Sequence, residues 1–194
     1  MDTYKFTFTI PAQKFFNDET ERFVTVKETT VTICHSLRSI HQWESKWEQS
    51  FFTTDNKISF LDDKHPDPKA NIKMTDYIRC MTLTQNVPDE AFTVIPMSTV
   101  EQIVGYMAAK MTATTFGKSS AKKPSRKKKR LTSEEIYASM FSNGVPLELE
   151  NWHFNQLITL LQVIGEKSSP SGKLSPKDRA SINAARRARH HSKG

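Results

Sequence analysis

The chain opens with a regular alternation of apolar and polar positions. From Tyr4 to Ile10, aromatic or aliphatic residues occupy every second position, which predicts a strand with one buried face that ends at Pro11. Phe23–Val26 and Thr30–Ile33 are rich in β-branched residues, so they form either one long strand or a short hairpin that pairs with the first strand. A small antiparallel sheet is therefore expected at the start of the chain.

The period of the pattern changes to three or four residues after Ser36, which predicts an amphipathic helix. Its apolar positions are Leu37, Ile40, Trp43, Trp47 and Phe51. Thr53–Asn71 contains two prolines and four aspartates and is expected to be a surface loop. A second helix then ends near Gln85-Asn86, and a third begins with Ser98 as its N-cap and reaches Met111.

A second set of helices is expected after a basic stretch. Thr132–Glu135 has the spacing of a capping box, and Asn143-Gly144 gives the stop signal of the helix that follows. Leu149–Ile164 is the most hydrophobic helix candidate, with Gly165 in the stop position. Ala180–Arg189 is rich in alanine and arginine, which favours a solvated terminal helix within Lys173–Lys193.

These elements indicate an α+β fold that is mostly helical, with a small N-terminal antiparallel β-sheet followed by helices, then a C-terminal helical half and a basic terminal helix. The expected organisation is an α+β half over residues 1–117, a basic flexible linker over 118–130, a helical half over 131–166 and a basic tail over 167–194. At 194 residues and 37% hydrophobic, the chain suits two small halves better than one large core.

The formal net charge of +7 is concentrated in two segments. Lys118–Arg130 contains eight lysines and arginines and no acid, and Lys167–Gly194 contains eight against the single Asp178. The remaining residues hold 12 basic and 20 acidic side chains, a net charge of −8. The basic character therefore belongs to the linker and the tail, while the body is acidic.

The basic run before Thr132 allows three interpretations: a solvated linker, a contact for nucleic acid or an acidic partner, and a nuclear-localisation-like patch. Like charges at this density repel one another, so the unbound segment is expected to be extended. The candidate contact residues in the linker and the tail are Lys122, Lys123, Arg126, Lys127, Lys128, Lys129, Arg130, Arg186, Arg187 and Arg189.

The chain is expected to be a cytosolic protein without disulfides. No apolar run approaches the roughly 20 residues that span a bilayer, and Met1 leads straight into the first strand, unlike a signal peptide. Cys34 and Cys80 are far apart in the sequence, each in apolar surroundings, which favours reduced thiols.

No constellation typical of an active site is present in the sequence, so we expect no enzymatic activity and no metal or other cofactor. The six histidines and two cysteines lack zinc-site spacing, and the glycines frame neither a phosphate loop nor a dinucleotide turn. His153, between Trp152 and Phe154, is interpreted as a packing residue. Paired carboxylates such as Asp62-Asp63 and Glu134-Glu135 are attributed to solvation or to the helix dipole.

Four stretches of the chain, taken in order, resemble the tail assembly chaperone family of long-tailed, siphovirus-like bacteriophages. They are His35–Glu48, Asp76–Val87, Met111–Phe116 and Trp152–Leu161. The C-terminal Ile182–Arg187 also fits this family. The basic stretch before Thr132 is longer and more charged than the family pattern.

The resemblance implies a protein without catalytic residues that works in the cytoplasm of the infected bacterial host. It implies binding to the long, aggregation-prone helical tape-measure protein and assistance to tail-tube subunits that polymerise around it. Large aromatic residues dominate interfaces when they are exposed, so the candidate interaction residues are Trp43, Trp47, Tyr137 and Trp152. Burial of each of them in the protein's own core is the alternative.

Two other functions remain open from the sequence. One is a structural virion protein of the tail or connector, whose basic segments contact DNA or acidic protein surfaces. The other is sequence-independent nucleic-acid binding through the linker and tail. For the stripe Trp43–Trp47, core packing is favoured over base stacking, because Glu44 and Glu48 would repel phosphates.

Overall fold

A computed structural model describes residues 4–17, 21–62, 65–114 and 130–168. The chain divides into two units, Met1–Thr159 and Leu160–Gly194. The described part of the second unit, residues 160–168, is the end of the helix that begins at Phe154. Most of the predicted basic linker, all of the predicted terminal helix and the rest of the tail beyond residue 168 lie outside the described residues.

The first strands form one long β-hairpin that is interrupted in its middle. Its strands are β1 (Phe6–Ile10), β2 (Gln13–Asn17), β3 (Arg22–Val26) and β4 (Thr29–Ile33). β1 pairs with β4 and β2 pairs with β3, both antiparallel, in a single register that continues across the break. Pro11 lies at the break, where it cannot donate a hydrogen bond to the ladder.

The predicted antiparallel sheet is therefore confirmed, but β2 was not predicted. Thr30–Ile33 pairs with the first strand, whereas Phe23–Val26 pairs with β2 instead. β2 escaped the sequence pattern because its two phenylalanines are adjacent, so it shows no alternation of apolar and polar positions.

Helices make up most of the rest of the described chain. The α-helices are α1 (Leu37–Trp47), α2 (Ala70–Met81), α3 (Asp89–Thr93), α4 (Met97–Ala108), α5 (Ser133–Ser142) and α6 (Phe154–Ser168). Short 3₁₀ helices lie at Ser59–Leu61 and Leu147–Asn151. The fold is α+β and mostly helical, as the sequence predicts.

The end of α2 is set by the neighbouring hairpin. The amide of Cys34 donates to the carbonyl of Met81 (2.8 Å), and the amide of Leu83 donates to the carbonyl of Thr32 (2.8 Å). The chain after α2 therefore extends along the free edge of β4 instead of continuing as a helix. The predicted helix end near Gln85-Asn86 is wrong for this reason.

Other helix boundaries also differ from the prediction. α1 is followed by Glu48 in a left-handed conformation (φ 49°), so Phe51 lies beyond the helix. α3 was not predicted, and the helix expected from Ser98 to Met111 is α4, which begins at Met97 directly after Pro96. Proline suits the start of a helix, because the first amides there have no partner within the helix.

The most hydrophobic helix is shorter at its start and longer at its end than predicted. Leu149 belongs to the second 3₁₀ helix, and Trp152 has an extended backbone, so α6 begins only at Phe154. Gly165 lies inside α6 and does not end it. A glycine inside a helix costs only about 1 kcal/mol, which neighbouring residues can offset.

The core of the first unit draws on residues before and after the basic stretch. Its largest fully buried side chains are Ile10, Ile33, Leu37, Ile40, Trp43, Phe51, Phe60, Tyr77, Ile78, Met81, Ile103 and Met140. α1 packs against both α2 and α5. α5 therefore shares a compact unit with the hairpin, in contrast to the prediction of separate halves over residues 1–117 and 131–166.

The buried carboxylate of Glu44 connects α1 to the start of α5. Its Oε1 accepts a hydrogen bond from the amide of Phe51 (2.7 Å), and its Oε2 accepts one from the amide of Ser133 (2.8 Å). The negative charge also lies at the positive end of the α5 dipole. Thr132, the predicted capping residue, makes no side-chain cap, so Glu44 supplies an acceptor there instead.

We predict that Glu44→Gln lowers the free energy of unfolding by about 2 kcal/mol, because one buried backbone amide loses its charged acceptor. Urea denaturation of the full chain measures this change. Glu48→Gln, one turn along the same chain and exposed, is the matched control and should change the free energy by less than about 0.5 kcal/mol. Equal effects of the two substitutions would contradict a structural role for the Glu44 carboxylate.

Candidate protein-interaction site

Trp43 lies at the centre of the core and is not available to a partner. Its side chain is 0% exposed and packs against the rings of Phe51 and Phe60, with centroid separations of 5.2 and 5.0 Å. Its Nε1 donates to the carbonyl of Lys73 on α2 (3.0 Å). The candidate role of Trp43 as an interaction residue is therefore wrong, since the apolar stripe of α1 faces inward.

Trp47, one turn further along α1, is half-buried. The ammonium of Lys73 lies over its ring at 5.0 Å from the centroid. Lys73 also donates to Gln49 and forms an ion pair with Asp67. This cation therefore covers part of the ring, which leaves Trp47 a smaller contact surface than the sequence suggests.

Tyr137 joins α5 to the second 3₁₀ helix. Its hydroxyl donates to Oε2 of Glu150 (2.6 Å), and its ring meets the edge of His41 at a centroid separation of 5.5 Å. His41 in turn is hydrogen-bonded through Nδ1 to the hydroxyl of Ser133 (3.0 Å). These contacts give Tyr137 a structural role between α1, α5 and the 3₁₀ helix.

Trp152 is the most exposed of the four aromatic candidates. It follows the second 3₁₀ helix and is 40% exposed, and Leu147 at the start of that helix is 47% exposed. Exposed tryptophan is among the side chains that contribute most to protein interfaces. Of the four predicted residues, Trp152 therefore fits the role of an interaction anchor best.

The outer half of the β-hairpin carries an aromatic pair that the sequence reasoning missed. Phe16 and Phe23 are direct cross-strand partners, 48% and 68% exposed, with ring centroids 5.3 Å apart. The ammonium of Lys14 lies 5.0 Å from the centroid of Phe23. The adjacent pair Phe15-Phe16 was the available signal, because neighbouring residues on a strand point to opposite faces.

A junction of buried polar groups lies where β4 passes into α1. The amide of His35 donates to the hydroxyl of Tyr106 on α4 (3.1 Å), and its carbonyl accepts from the amide of Phe154 on α6 (2.7 Å). Nδ1 of His35 is hydrogen-bonded to the hydroxyl of Tyr77 on α2. The ring of His153 lies 5.3 Å from that of His35. One short segment thus contacts three helices.

Both histidines of this junction are held neutral by their surroundings. Burial, and to a smaller extent the nearby His153, lower the pKa of His35 to about 3. Burial also lowers the pKa of His153, although a hydrogen bond to the backbone of Tyr106 acts in the opposite direction. The interpretation of His153 as a packing residue agrees with its complete burial.

Arg130 is exposed, and the other candidate basic residues of the linker and tail lie outside the described residues. Cys34 is buried, Cys80 is half-buried and both are free thiols. Within the described ranges, no group of three or more His, Cys, Asp or Glu side chains is placed to hold a metal ion.

No helix in the described part of the chain is both long enough and apolar enough to cross a membrane. No protein-family model, curated protein or solved structure matches this sequence. The function is therefore inferred from the residues themselves.

We predict that the protein loses stability as the pH falls below about 6.5. The unfolded chain then binds protons at His35 and His153 that the folded chain does not bind, since the pKa of each is lower in the folded state. Each histidine contributes a loss of up to about 1.4 kcal/mol per pH unit. Urea denaturation between pH 7.5 and 5 checks this slope, in a range above most carboxylate titrations.

The variant His35→Gln should have a lower free energy of unfolding than the unmodified protein. That free energy should also change less steeply with pH, because one of the two buried histidines is gone. His65→Gln is the matched control, because the side chain of His65 is 85% exposed. A pH dependence in His35→Gln as steep as in the unmodified protein would show that the slope arises elsewhere.

Proposed function

We propose that this protein is a non-enzymatic tail assembly chaperone of a long-tailed bacteriophage. In this role it binds the tape-measure protein and assists tail-tube assembly in the cytoplasm of the infected bacterium. The proposal starts from the resemblance of four sequence stretches to that family. Its structural support comes from the positions of those stretches in the fold.

The observation that carries the proposal is that described residues from all four stretches contact one another within the first unit. His35, from the first stretch, is bonded to Tyr77 in the second and to Phe154 in the fourth. The side-chain amide of Gln156 donates to the carbonyl of Met111, which begins the third stretch (2.8 Å). The resemblance thus includes residues that lie close together in the fold, although 121 positions separate His35 from Gln156.

Trp152 lies at the surface beside this junction, which supports its proposed role as an anchor for a helical client. Trp152 directly precedes His153, whose ring is fully buried against His35. A buried neighbour restrains the backbone of Trp152, so less conformational entropy is lost when a partner covers its ring. An amphipathic client helix binds through apolar anchors of this kind, with polar groups at the rim.

Co-expression with the tape-measure protein of the same phage tests the proposal. We expect affinity-tagged protein to capture the tape-measure protein and to keep it soluble. Purified virions, analysed by mass spectrometry, should lack the protein, because a chaperone leaves before the particle is complete. Its presence in virions at a fixed copy number would favour the alternative, a structural protein of the tail or connector.

Within this test, Trp152→Ala should reduce capture of the tape-measure protein by about tenfold, as expected for the loss of an interface anchor. Phe23→Ala is the matched control, because it removes an exposed aromatic ring that lies outside all four stretches. Circular dichroism establishes that both variants are folded. Unchanged capture by Trp152→Ala, or equal losses in both variants, would contradict the assignment of Trp152.

A further inference from the structure

A polar cavity of about 550 Å³ opens at the surface of the first unit. It lies between the first turns of α1, the chain that follows α2, the start of β1 and the second 3₁₀ helix. Its lining includes the side chains of Lys5, Arg38, Gln42, Leu83 and Gln85. Its volume falls in the range of pockets that bind small ligands or short peptide segments, about 300 to 1,000 Å³.

The lining of this cavity has a charge opposite to that of the body around it. It includes the cations Lys5 and Arg38 and no carboxylate. Outside its two basic segments, by contrast, the chain has a net charge of −8. Asp76, whose charge acts on the nearby Cys80, is itself neutralised by ion pairs with Lys46 and Arg79 (2.8 and 2.9 Å). The lining of the cavity therefore carries positive formal charge and no negative charge.

Two side-chain amides of the cavity can donate hydrogen bonds to a ligand. They belong to Gln42 and Gln85, which are both exposed. The amides at the start of α1 are less available, because Ser36 and Ser39 cap each other (3.0 and 3.2 Å). Side chains, rather than the helix end, therefore supply the donors.

An apolar contact completes the set of groups around the cavity. Leu83 lines it and is 50% exposed, although most leucines in this unit are more deeply buried. Positive charge, exposed side-chain amides and one exposed aliphatic side chain together suit a short peptide with carboxylates beside an apolar residue. An arginine recognises a carboxylate especially well, since it can donate two parallel hydrogen bonds.

We propose that this cavity binds a short acidic segment of the protein's partner, with Arg38 contacting its carboxylates. The inference rests on the proposed chaperone function, in which that partner is the client. A nucleic acid is a poorer fit than a peptide, because its continuous phosphate chain would extend over the surrounding acidic surface. A peptide of a few residues places negative charge only inside the cavity.

The first experiment locates the binding of a defined probe on the full-length protein. Uniformly ¹⁵N-labelled protein is titrated with the peptide acetyl-Glu-Glu-Leu-Glu-Glu-amide and, separately, with the peptide in which every Glu is Gln. We expect the acidic peptide to shift the backbone amide signals of Thr82, Leu83 and Gln85, and the Gln peptide to leave them unchanged. Shifts confined to residues 118–129 and 167–194, or identical for both peptides, overturn the proposal.

The second experiment removes one charge from the cavity. Arg38→Gln should weaken the binding of the labelled acidic peptide about five- to tenfold, as loss of a bidentate charge-assisted contact implies. Lys27→Gln, on the exposed turn between β3 and β4, removes the same charge elsewhere and should leave the affinity within about twofold. Equal losses in the two variants would show a general effect of net charge and overturn the proposal.

A third comparison separates this inference from the proposed function. If the unmodified protein captures no tape-measure protein while the peptide shifts remain at Thr82–Gln85, the chaperone function fails and the acidic-peptide site stands. If the tape-measure protein is captured equally by the unmodified protein and Arg38→Gln, the assignment of the cavity to this client is wrong. If octathymidylate shifts the same amide signals more strongly than the acidic peptide does, the cavity binds nucleic acid instead of an acidic peptide and the proposal is overturned.

Discussion

Three consecutive residues carry the chain from β4 to α1, and the positions of several helices depend on their backbone groups. The amide of Cys34 is bonded to the end of α2, the amide of His35 to a tyrosine of α4 and the carbonyl of His35 to the start of α6. Buried backbone groups need partners, since each unpaired one costs roughly 1 to 3 kcal/mol. These backbone hydrogen bonds therefore fix how the hairpin and the three helices lie around the segment.

Neutral histidines suit this junction because their charged forms would be costly there. Full burial keeps the ring of His35 neutral, and its nitrogen then finds a partner in the Tyr77 hydroxyl, whose own pKa is raised by burial. Glu44, further along α1, is a buried carboxylate that is stabilised by hydrogen bonds instead. There the side chain is buried and both of its oxygens accept backbone hydrogen bonds, from Phe51 and Ser133. Polar groups thus fix the orientation of α1 within an otherwise apolar core.

These constraints decide which aromatic side chains are exposed and can contact a partner. The same helix face that brings Trp43 into the core leaves Trp47 half-covered by Lys73, whereas Trp152 stays exposed because the chain is extended between the 3₁₀ helix and α6. Phe16 and Phe23 are exposed because a two-stranded ribbon buries only one of its faces here. The type of an aromatic residue therefore does not tell whether its side chain is exposed or buried in the core.

Local pattern in the sequence determined the fold class, the first strand and the start of α1 at Ser36, because these depend on near neighbours. Composition alone determined the acidic body and the two basic segments. Only the tertiary structure decided where α2 ends, which acceptor supports α5 and which tryptophan faces solvent. These features arise from pairs far apart in the chain, such as Thr32 with Leu83 and Glu44 with Ser133. The cavity between α1 and the chain after α2 has the same origin, since its cations and amides come from segments that no periodicity connects.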